Sequence, residues 1–216
     1  MEQKIVNLLE QKIEQVILRL QKQADYENQH KDKIDHGKRM LAITKETAMF
    51  YNILLKAVKA KKILEIGLST GYSTLWFADA VIYNTKKSER QNAITTIEQS
   101  RYKIQIAKKN FEEASVSEII DIKKGIAKDV LSDLSKKFEK RQDLFDFVFI
   151  DADKENSISY FETCLTMVKK GGIIAADNIL DNNDMKKYAE YAQKKPGVIS
   201  VTVPIGWGEE ITFKTK

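Results

Sequence analysis

The sequence predicts an α/β protein built on a mostly parallel sheet that ends in an antiparallel hairpin. From Lys61 onward, short apolar runs alternate with helical stretches. This order is typical of a parallel sheet with helices on both faces. The last two apolar runs are joined only by Gly-Trp-Gly at 206–208, with no helix between them. Strands connected so closely pair as an antiparallel hairpin.

Length and composition favour a single domain of the soluble globular class. The chain has 216 residues, of which 43% are hydrophobic and 31% charged, and a net charge of +5. No apolar run approaches the roughly 20 residues of a membrane helix, and the charged N-terminus lacks a secretory signal. A single cysteine, Cys164, fits a reducing compartment, so we expect a cytoplasmic protein with no membrane partner. The two histidines make a histidine zinc site improbable, so any metal should have oxygen ligands.

Two helices are predicted before the first strand. Residues 3–23 place apolar side chains at spacings of three and four, namely Ile5, Leu9, Ile13, Val16 and Leu20. A polar stretch at 25–39 is interpreted as a short helix or loop. Residues 43–58 form the second helix, with Thr44 as its N-cap. Residues 1–60 are therefore expected to form a helical cap that covers a sheet edge, closes as a lid or contacts another subunit, and 61–216 the core.

The core follows as seven strands and five helices. The strands are predicted at 62–67, 93–98, 119–125, 145–151, 171–177, 197–205 and 209–216. The helices are predicted at 72–82, 101–114, 127–138, 157–169 and 183–194. Cys164 and Trp76 fall on helices among apolar neighbours and are interpreted as core residues.

A glycine loop follows the first strand and carries acids at unusual positions. Gly67 and Gly71 are followed by a helix, and glycines there allow a tight turn and a close ligand approach. Glu65 ends the strand, which suits a cationic or hydroxyl-rich ligand better than a pyrophosphate. Glu98 ends the second strand, where a carboxylate can accept hydrogen bonds from ribose hydroxyls. Taken alone, the loop could equally be a plain strand-to-helix turn.

The fourth strand runs into a cluster of charge. The apolar residues 147–150 lead directly into Asp151, Asp153, Lys154 and Glu155. One interpretation is a strand that surfaces beside a helix N-terminus, where acids are favourable. The other is an active site.

The motifs together resemble a known family. They read LEIGLSTGYS, TTIE, GIAKD, FDFVFIDADKENSISYFE, GGIIAADNIL and PIGWGEEITFK, in this order from about Met40 to the C-terminus. The chain resembles the S-adenosylmethionine-dependent methyltransferases with a seven-stranded Rossmann-like fold. More narrowly, it is similar to the cation-dependent O-methyltransferases related to caffeoyl-CoA and catechol O-methyltransferases.

The resemblance implies a residue set for each part of the site. It implies cofactor contacts from Met40, Glu65, Gly67, Gly71, Tyr72, Ser73, Glu98, Ala127 and Asp151. It implies metal ligands at Asp151, Asp177 and Asn178, and a catalytic lysine at Lys154. The expected cofactors are S-adenosylmethionine and a divalent cation, Mg²⁺ before Mn²⁺ or Ca²⁺.

These residue types suit the implied chemistry. Two carboxylates and one amide oxygen leave about half of an octahedral shell open, which an acceptor with two adjacent oxygens could fill. Coordination lowers the pKa of a hydroxyl, and Lys154 can then accept the proton or hold the oxyanion. As a base, the lysine would need a lowered pKa. Asp153 is expected behind the ligands first, or else beside the metal, and Glu155 in the first turn of the next helix.

The chain departs from the family after Asn178. Relatives carry an extended loop over the substrate, whereas here DNILDNNDMKKYAEYA leads almost directly into a helix. Trp207 could line the substrate mouth or pack on the surface, and His36 is expected to face solvent. The first hypothesis is a metal-dependent O-methyltransferase for a catechol-like or vicinal-diol molecule. The alternatives are a tRNA-modifying enzyme acting on 5-hydroxyuridine and a non-catalytic scaffold. A homodimer is expected by analogy.

Overall fold

A computed structural model describes residues 10–138 and 144–216 of the chain. Seven strands form one sheet in the order β3-β2-β1-β4-β5-β7-β6. Their bounds are β1 Ile63–Ile66, β2 Ile94–Glu98, β3 Ile120–Lys124, β4 Phe145–Ile150, β5 Val168–Ala176, β6 Val198–Val203 and β7 Glu209–Lys214. The first five strands are parallel, and β7 pairs antiparallel with both β5 and β6. The predicted α/β fold with a C-terminal antiparallel hairpin is confirmed.

Seven α-helices surround this sheet in the described part of the chain. They are α1 Gln11–Gln29, α2 Lys45–Ala57, α3 Tyr72–Asn84, α4 Arg101–Glu113, α5 Ala127–Phe138, α6 Ser157–Met167 and α7 Asn183–Lys194. Short 3₁₀ turns at Lys31–Lys33 and His36–Lys38 connect α1 to α2. Thr44 caps α2 as predicted, because its side chain accepts a hydrogen bond from Thr47 N.

The predicted end of α1 at residue 23 was wrong. The helix continues to Gln29, and its buried face continues from Leu20 through Ala24 to Glu27. The spacing of four and then three keeps these side chains on one stripe of the helix. The stripe ends in an acid, Glu27, so the apolar pattern could not predict that the helix continues to Gln29. The predicted positions Ile5 and Leu9 lie outside the described residues.

The boundary between α6 and β5 was also misplaced. The helix ends at Met167 and the strand begins at Val168, whereas the sequence suggested 169 and 171. After Val168 the strand continues through Lys169, Lys170 and Gly171, which are exposed. The register between β4 and β5 shifts at Phe145 and Phe147. A polar, irregular start therefore concealed the first residues of a strand that later becomes fully buried.

The core has two parts, one on each face of the sheet. In β4, Phe147 and Phe149 face the side covered by α1 to α4, while Val148 and Ile150 face α5 to α7. This alternation is the two-residue period of a strand buried on both faces. Trp76 lies in the first part and Cys164 in the second, so both are core residues as predicted.

The N-terminal helices complete one of these layers. Helix α1 contacts α3 and α4, and α2 packs against α3. Of the roles that the sequence left open, covering is the one seen within this chain. The helices cover a face of the sheet and the helices on it, not a sheet edge, since Tyr51 of α2 packs against Phe147 and Phe149 of β4. Residues 39–44 run from this layer across the ends of the strands.

Strand order reverses between β1 and β4, which is where open α/β sheets bind ligands. Gly67 directly follows β1 with φ +106°. A Cβ at this position would lie 2.0 Å from the backbone oxygen of Asp151, the residue after β4. Only glycine therefore permits the two strand ends to approach so closely.

This geometry predicts a large cost for Gly67→Ala. Gly171, also at positive φ (+79°), has no atom within 4 Å of a built Cβ and is the matched control. We expect Gly171→Ala to lower the free energy of unfolding by about 1 kcal/mol, from backbone strain alone. Gly67→Ala should lose roughly 1–3 kcal/mol more because of the clash. Urea unfolding monitored by circular dichroism measures both, and equal losses would contradict the close-approach argument.

Candidate active site at the ends of β1 and β4

A cavity of about 720 Å³ opens at the carboxyl ends of the parallel strands. This volume lies in the usual range for small-molecule sites. Its wall contains predicted site residues from the ends of all five parallel strands, namely Gly67, Glu98, Ala127, Asp151, Lys154, Asp177 and Asn178. A smaller adjoining recess lies between residues 40–43 and the glycine loop, and it includes Met40, Tyr72 and Ser73. The fold thus brings ten of the twelve predicted residues to one connected surface.

Glu65 and Gly71 are the two exceptions. Glu65 is completely buried beneath the glycine loop, and the hydroxyls of Ser73, Thr74 and Thr96 each donate to its carboxylate at 2.6 Å. Burial raises the pKa of Glu65 to about 7, although these hydrogen bonds oppose the shift. In this structure Glu65 supports the loop and Ser73 from below and does not line the cavity.

Gly71 has a packing role in the same turn. It begins α3 at φ +88°, and a Cβ there would lie 2.5 Å from the ring of Phe111 in α4. The turn therefore needs glycine for its conformation and for the close contact with α4. Direct cofactor contact by Glu65 and Gly71 stays a prediction.

Glu98 is held rigidly at the cavity wall. Its two carboxylate oxygens accept hydrogen bonds from Ser69 N at 2.9 Å and Ser100 N at 2.8 Å. Each oxygen keeps a free lone pair, because a carboxylate can accept about four hydrogen bonds. Glu98 is thus oriented by the backbone and still able to accept two vicinal hydroxyls.

Asp151 and Lys154 form an ion pair at the end of β4. Lys154 Nζ lies 2.7 Å from Asp151 Oδ1, and both side chains are about one-fifth exposed. Burial lowers the pKa of Lys154, but the charges of Asp151, Asp177 and Asp181 outweigh it, and the pKa is raised overall. The lowered pKa that a base would need is therefore not found in this arrangement. The lysine instead stands as an ammonium group directed at the cavity.

Asp177 and Asn178 follow β5, the neighbour of β4 in the sheet. The Asn178 N–H donates to Asp177 Oδ1 at 2.6 Å, and Asn178 takes a left-handed conformation with φ +70°. Burial and the nearby Asp151 carboxylate raise the pKa of Asp177. Two acids held this closely in a buried place favour the approach of a cation.

Glu209, at the start of β7, was not foreseen and completes this cluster. It is fully buried, accepts a hydrogen bond from Tyr51 Oη at 2.5 Å and contacts Asp177. Burial, together with the Asp177 charge, raises its pKa. The sequence shows two acids, Glu209 and Glu210, at the start of the last strand. It does not show that Glu209 lies beside β5, because that depends on how the hairpin pairs with the sheet.

The remaining charges near β4 have supporting positions. Tyr160 Oη donates to Asp153 Oδ1 at 2.6 Å, and Asn156 donates to its other oxygen. Both carboxylate oxygens of Asp153 therefore accept hydrogen bonds from α6 and the turn before it, in line with the supporting place expected for this residue. Glu155 lies in a 3₁₀ turn, Lys154–Asn156, that leads into α6.

The donor set fits a divalent cation. Within residues 10–138 and 144–216, no group of three or more His, Cys, Asp and Glu side chains is arranged to hold a metal. The expected set differs in kind, since it combines two carboxylates with the amide oxygen of Asn178. Hard oxygen donors of this type suit Mg²⁺, which keeps several waters or substrate oxygens.

The cavity rim is formed by parts of the chain that have no motif. The segment after Asn178 is short, and Ile179 N and Leu180 N donate to the carbonyls of Gly208 and Trp207 at 2.9 Å. Trp207 is half exposed and lines the cavity, one of the two positions considered for it. His36 is exposed as expected but also lines the cavity, together with Asn28, Arg39 and Lys103. Only the tertiary fold brings these residues there.

Comparison with known proteins agrees with the fold and the motifs. A family model described as O-methyltransferase matches residues 21–202. The chain belongs to this O-methyltransferase family. It is 35% identical over 164 residues to caffeoyl-CoA O-methyltransferase 1 of Zea mays, covering 72% of this chain and 60% of that protein. The Arabidopsis thaliana caffeoyl-CoA O-methyltransferase 1 is 34% identical with the same coverage. The match thus spans less than two thirds of these curated relatives.

Solved structures share the same architecture. An O-methyltransferase from Bacillus cereus in complex with SAH has a TM-score of 0.72 at 24% identity, covering 99% of this chain and 96% of that one. The O-methyltransferase TomG from Streptomyces achromogenes, in complex with SAM, has a TM-score of 0.73 at 23% identity, covering 98% and 94%. These likenesses confirm the Rossmann-like methyltransferase fold. Across the described residues, no helix has the length and apolar character that crossing a membrane requires.

The buried Glu65 predicts a pH dependence of stability. Its pKa in the folded protein, about 7, lies above the ordinary 4.5, so the folded state binds the proton more tightly. This contribution is present below pH 4.5 and is lost as the pH rises through 7. We expect the free energy of unfolding of the wild type, relative to Glu65→Gln, to fall by up to roughly 3 kcal/mol across this window.

Urea unfolding at a series of pH values measures the difference between the two proteins. Glu190→Gln, which removes an exposed carboxylate, is the control. A difference that stays constant from pH 4.5 to 7 would refute the assignment.

Proposed function

We propose that the chain is an S-adenosylmethionine-dependent O-methyltransferase assisted by a divalent cation. The acceptor is a hydroxyl of a catechol-like or vicinal-diol small molecule. The observation that carries the proposal is one cavity whose wall holds the Glu98 carboxylate and the group Asp151, Lys154, Asp177 and Asn178. A hydroxyl-binding acid and a cation-binding cluster side by side suit a nucleoside cofactor and a chelating acceptor.

The cofactor end is supported by the family and by the geometry around Glu98. Family relatives carry O-methyltransferase names, and two structures of the same fold hold SAM or SAH. Glu98 would accept the ribose hydroxyls, Ala127 would border the adenine, and residues 40–43 with Ser73 would enclose the methionine end. S-adenosylmethionine supplies an electrophilic methyl group on a sulfonium sulfur.

The cation would be held by Asp151, Asp177 and Asn178, with Mg²⁺ the first choice and Mn²⁺ or Ca²⁺ as alternatives. When bound, it supplies Lewis acidity that lowers the pKa of a coordinated hydroxyl. Glu209 and Tyr51 brace Asp177 from behind.

Lys154 acts at the acceptor oxygen. As an ammonium group it would hold the acceptor oxygen after the hydroxyl proton has left to solvent, and as a free amine it would take that proton itself. The cavity wall would hold the acceptor oxygen in line with the methyl group of the cofactor, and such alignment is a large part of the rate gain in transfer reactions.

The finer partners stay predictions. The exposed side chains of Ile199 and Val201 on the edge strand β6, with Phe213 on β7, form an apolar strip compatible with the expected homodimer. A tRNA acceptor also remains a prediction, as does a cytoplasmic location.

An assay with methyl-labelled S-adenosylmethionine tests the proposal. The protein is offered catechol or undermethylated tRNA, with and without EDTA. We expect label in the catechol and its loss on chelation, restored by added Mg²⁺. Label only in the RNA would reject the small-molecule acceptor. Transfer that is indifferent to EDTA would reject the cation.

Two substitutions of Lys154 separate its roles. Lys154→Ala should lower kcat roughly 10²-fold or more while the dissociation constant for SAH changes little. Lys154→Arg keeps the positive charge but cannot accept a proton. It should retain much of kcat if the lysine holds the oxyanion, and should be as slow as alanine if the lysine is a base.

The control is Lys187→Ala, which breaks another Lys–Asp pair of the same i,i+3 spacing, at 2.9 Å, on the surface of α7. Its kcat should equal that of the wild type. Normal turnover by Lys154→Ala would remove the lysine from the mechanism.

A further inference from the structure

Residues 40–43 form a strap beside the glycine loop. The strap and residues 67–70, 72 and 73 line a recess of only about 10 Å³, and Leu41 and Ala42 also line the adjoining cavity of about 720 Å³. Met40 is fully buried, while Leu41 is at positive φ (+49°) and partly exposed. A wall with this conformation needs fixed attachment points if it is to enclose a ligand.

The strap is attached through the backbone of a single residue. Within the described part of the chain, residues 40–43 form two hydrogen bonds, both on Met40. Its N–H donates to Glu27 Oε2 at 2.6 Å, and its carbonyl accepts from the hydroxyl of Ser69. Residues 41–43 form no hydrogen bond in the described structure, so Met40 provides the polar attachment of the strap, while the buried side chains of Met40 and Ile43 pack it onto the core.

Glu27 is an unusual choice for that attachment. It lies in the last turn of α1, is 7% exposed and receives a second hydrogen bond from Gln23 Nε2 at 2.9 Å. Burying a carboxylate is costly unless it is hydrogen-bonded. A charged acceptor, however, makes a shorter and roughly twice as strong a hydrogen bond as a neutral one.

The attachment continues to the wall that faces the cofactor site. Ser69, which holds the Met40 carbonyl, also donates its N–H to Glu98 Oε2 at 2.9 Å. Ser69 has φ +47°, a strained conformation that persists only where its surroundings hold it. A continuous series of hydrogen bonds therefore runs from Glu27 in α1 through Met40 and Ser69 to the Glu98 carboxylate at the end of β2.

We infer that Glu27 is a positioning residue for the cofactor. It touches neither the cavity nor the reacting groups, and it acts by fixing the strap and, through Ser69, the orientation of Glu98. The inference rests on the proposed function, since it assumes that the ligand bound beside the strap is S-adenosylmethionine. Neither the motifs nor the family match assigns this residue a role.

The test compares SAH binding by titration calorimetry across variants of the full chain. In Glu27→Ala the Met40 N–H loses its acceptor, and the dissociation constant should rise about tenfold or more. Glu27→Gln keeps an acceptor oxygen and should stay within about threefold of the wild type. Glu27→Met fills the same space without an acceptor, so it should also raise the dissociation constant about tenfold or more, and it tests the role of Glu27 even if the alanine variant fails to fold.

The matched control is Lys12→Ala. Lys12 in α1 donates to the hydroxyl of Ser115, just after α4, at 3.1 Å, away from the strap and the glycine loop. Its loss should leave SAH binding unchanged, although α1 is loosened. Hydrogen exchange provides a second measurement, because the amides of residues 40–43 should exchange faster in Glu27→Met, while those of 11–22 should not.

The outcomes distinguish this inference from the proposed function. A wild type that binds no SAH rejects the proposed cofactor and the inference with it. A wild type that binds SAH, with Glu27→Met binding equally well, rejects the role of Glu27 alone. Equal weakening by Lys12→Ala would also overturn it, since any loosening of α1 would then suffice.

Discussion

The close approach of β1 and β4 at Gly67 and Asp151 determines where the other groups of the site lie. Gly67 N donates to Ile97 O at 3.0 Å, and Asp151 N donates to Ile66 O at 2.9 Å. The ends of β2, β1 and β4 are thereby tied together in register. Glu98 and Asp151 consequently border the same cavity, although 53 positions separate them in the sequence. A side chain at position 67 would separate these ends and the chemistry that depends on them.

The acids around this contact are stabilised in different ways, and the difference divides the cavity. Hydroxyl groups surround Glu65, and backbone N–H groups hold Glu98. Neither needs a counter-ion. Asp151, by contrast, pairs with Lys154 at 2.7 Å, and burial together with the Asp151 charge raises the pKa of Asp177. Burial and the Asp177 charge likewise raise the pKa of Glu209. One end of the cavity therefore offers oriented acceptors for hydroxyls, and the other holds neighbouring acids whose repulsion a cation would relieve.

The strands of the sheet could be predicted because short apolar runs recur regularly along the sequence. Each core strand is a short run of β-branched and aromatic residues between turn residues, and glycines occur where the backbone must turn tightly. The acids at strand ends could be found because parallel strands bring their carboxyl ends to one edge. Residues such as Glu98, Asp151 and Asp177 were therefore predictable as neighbours before any coordinates.

Two of the failures share a physical cause, which is burial of polar groups through tertiary contacts. Glu27 ends the buried stripe of α1, and Glu209 opens β7 beside Asp177. A polarity pattern assigns such residues to the surface. The burial of Glu65 could not be predicted either, since the hydroxyl donors that allow it come from β2 and α3. The start of β5 was missed for another reason, because the exposed Lys169 and Lys170 interrupt its apolar pattern after Val168.

Residues 28–43 of the N-terminal segment are the part of the cavity wall best placed to determine which methyl acceptor binds. The connection after Asn178 is short and tied by backbone hydrogen bonds to the β6–β7 turn, so it can enclose little. Asn28, His36 and Arg39 line the cavity from the opposite part of the chain, and Arg39 Nε is buried without a hydrogen-bond partner. An unpaired donor at a ligand-sized cavity favours a substrate that carries a hydrogen-bond acceptor group. Members of the family that share the Asp151 and Asp177 motifs but differ at residues 28–43 should accordingly share the chemistry and differ in the molecule they methylate.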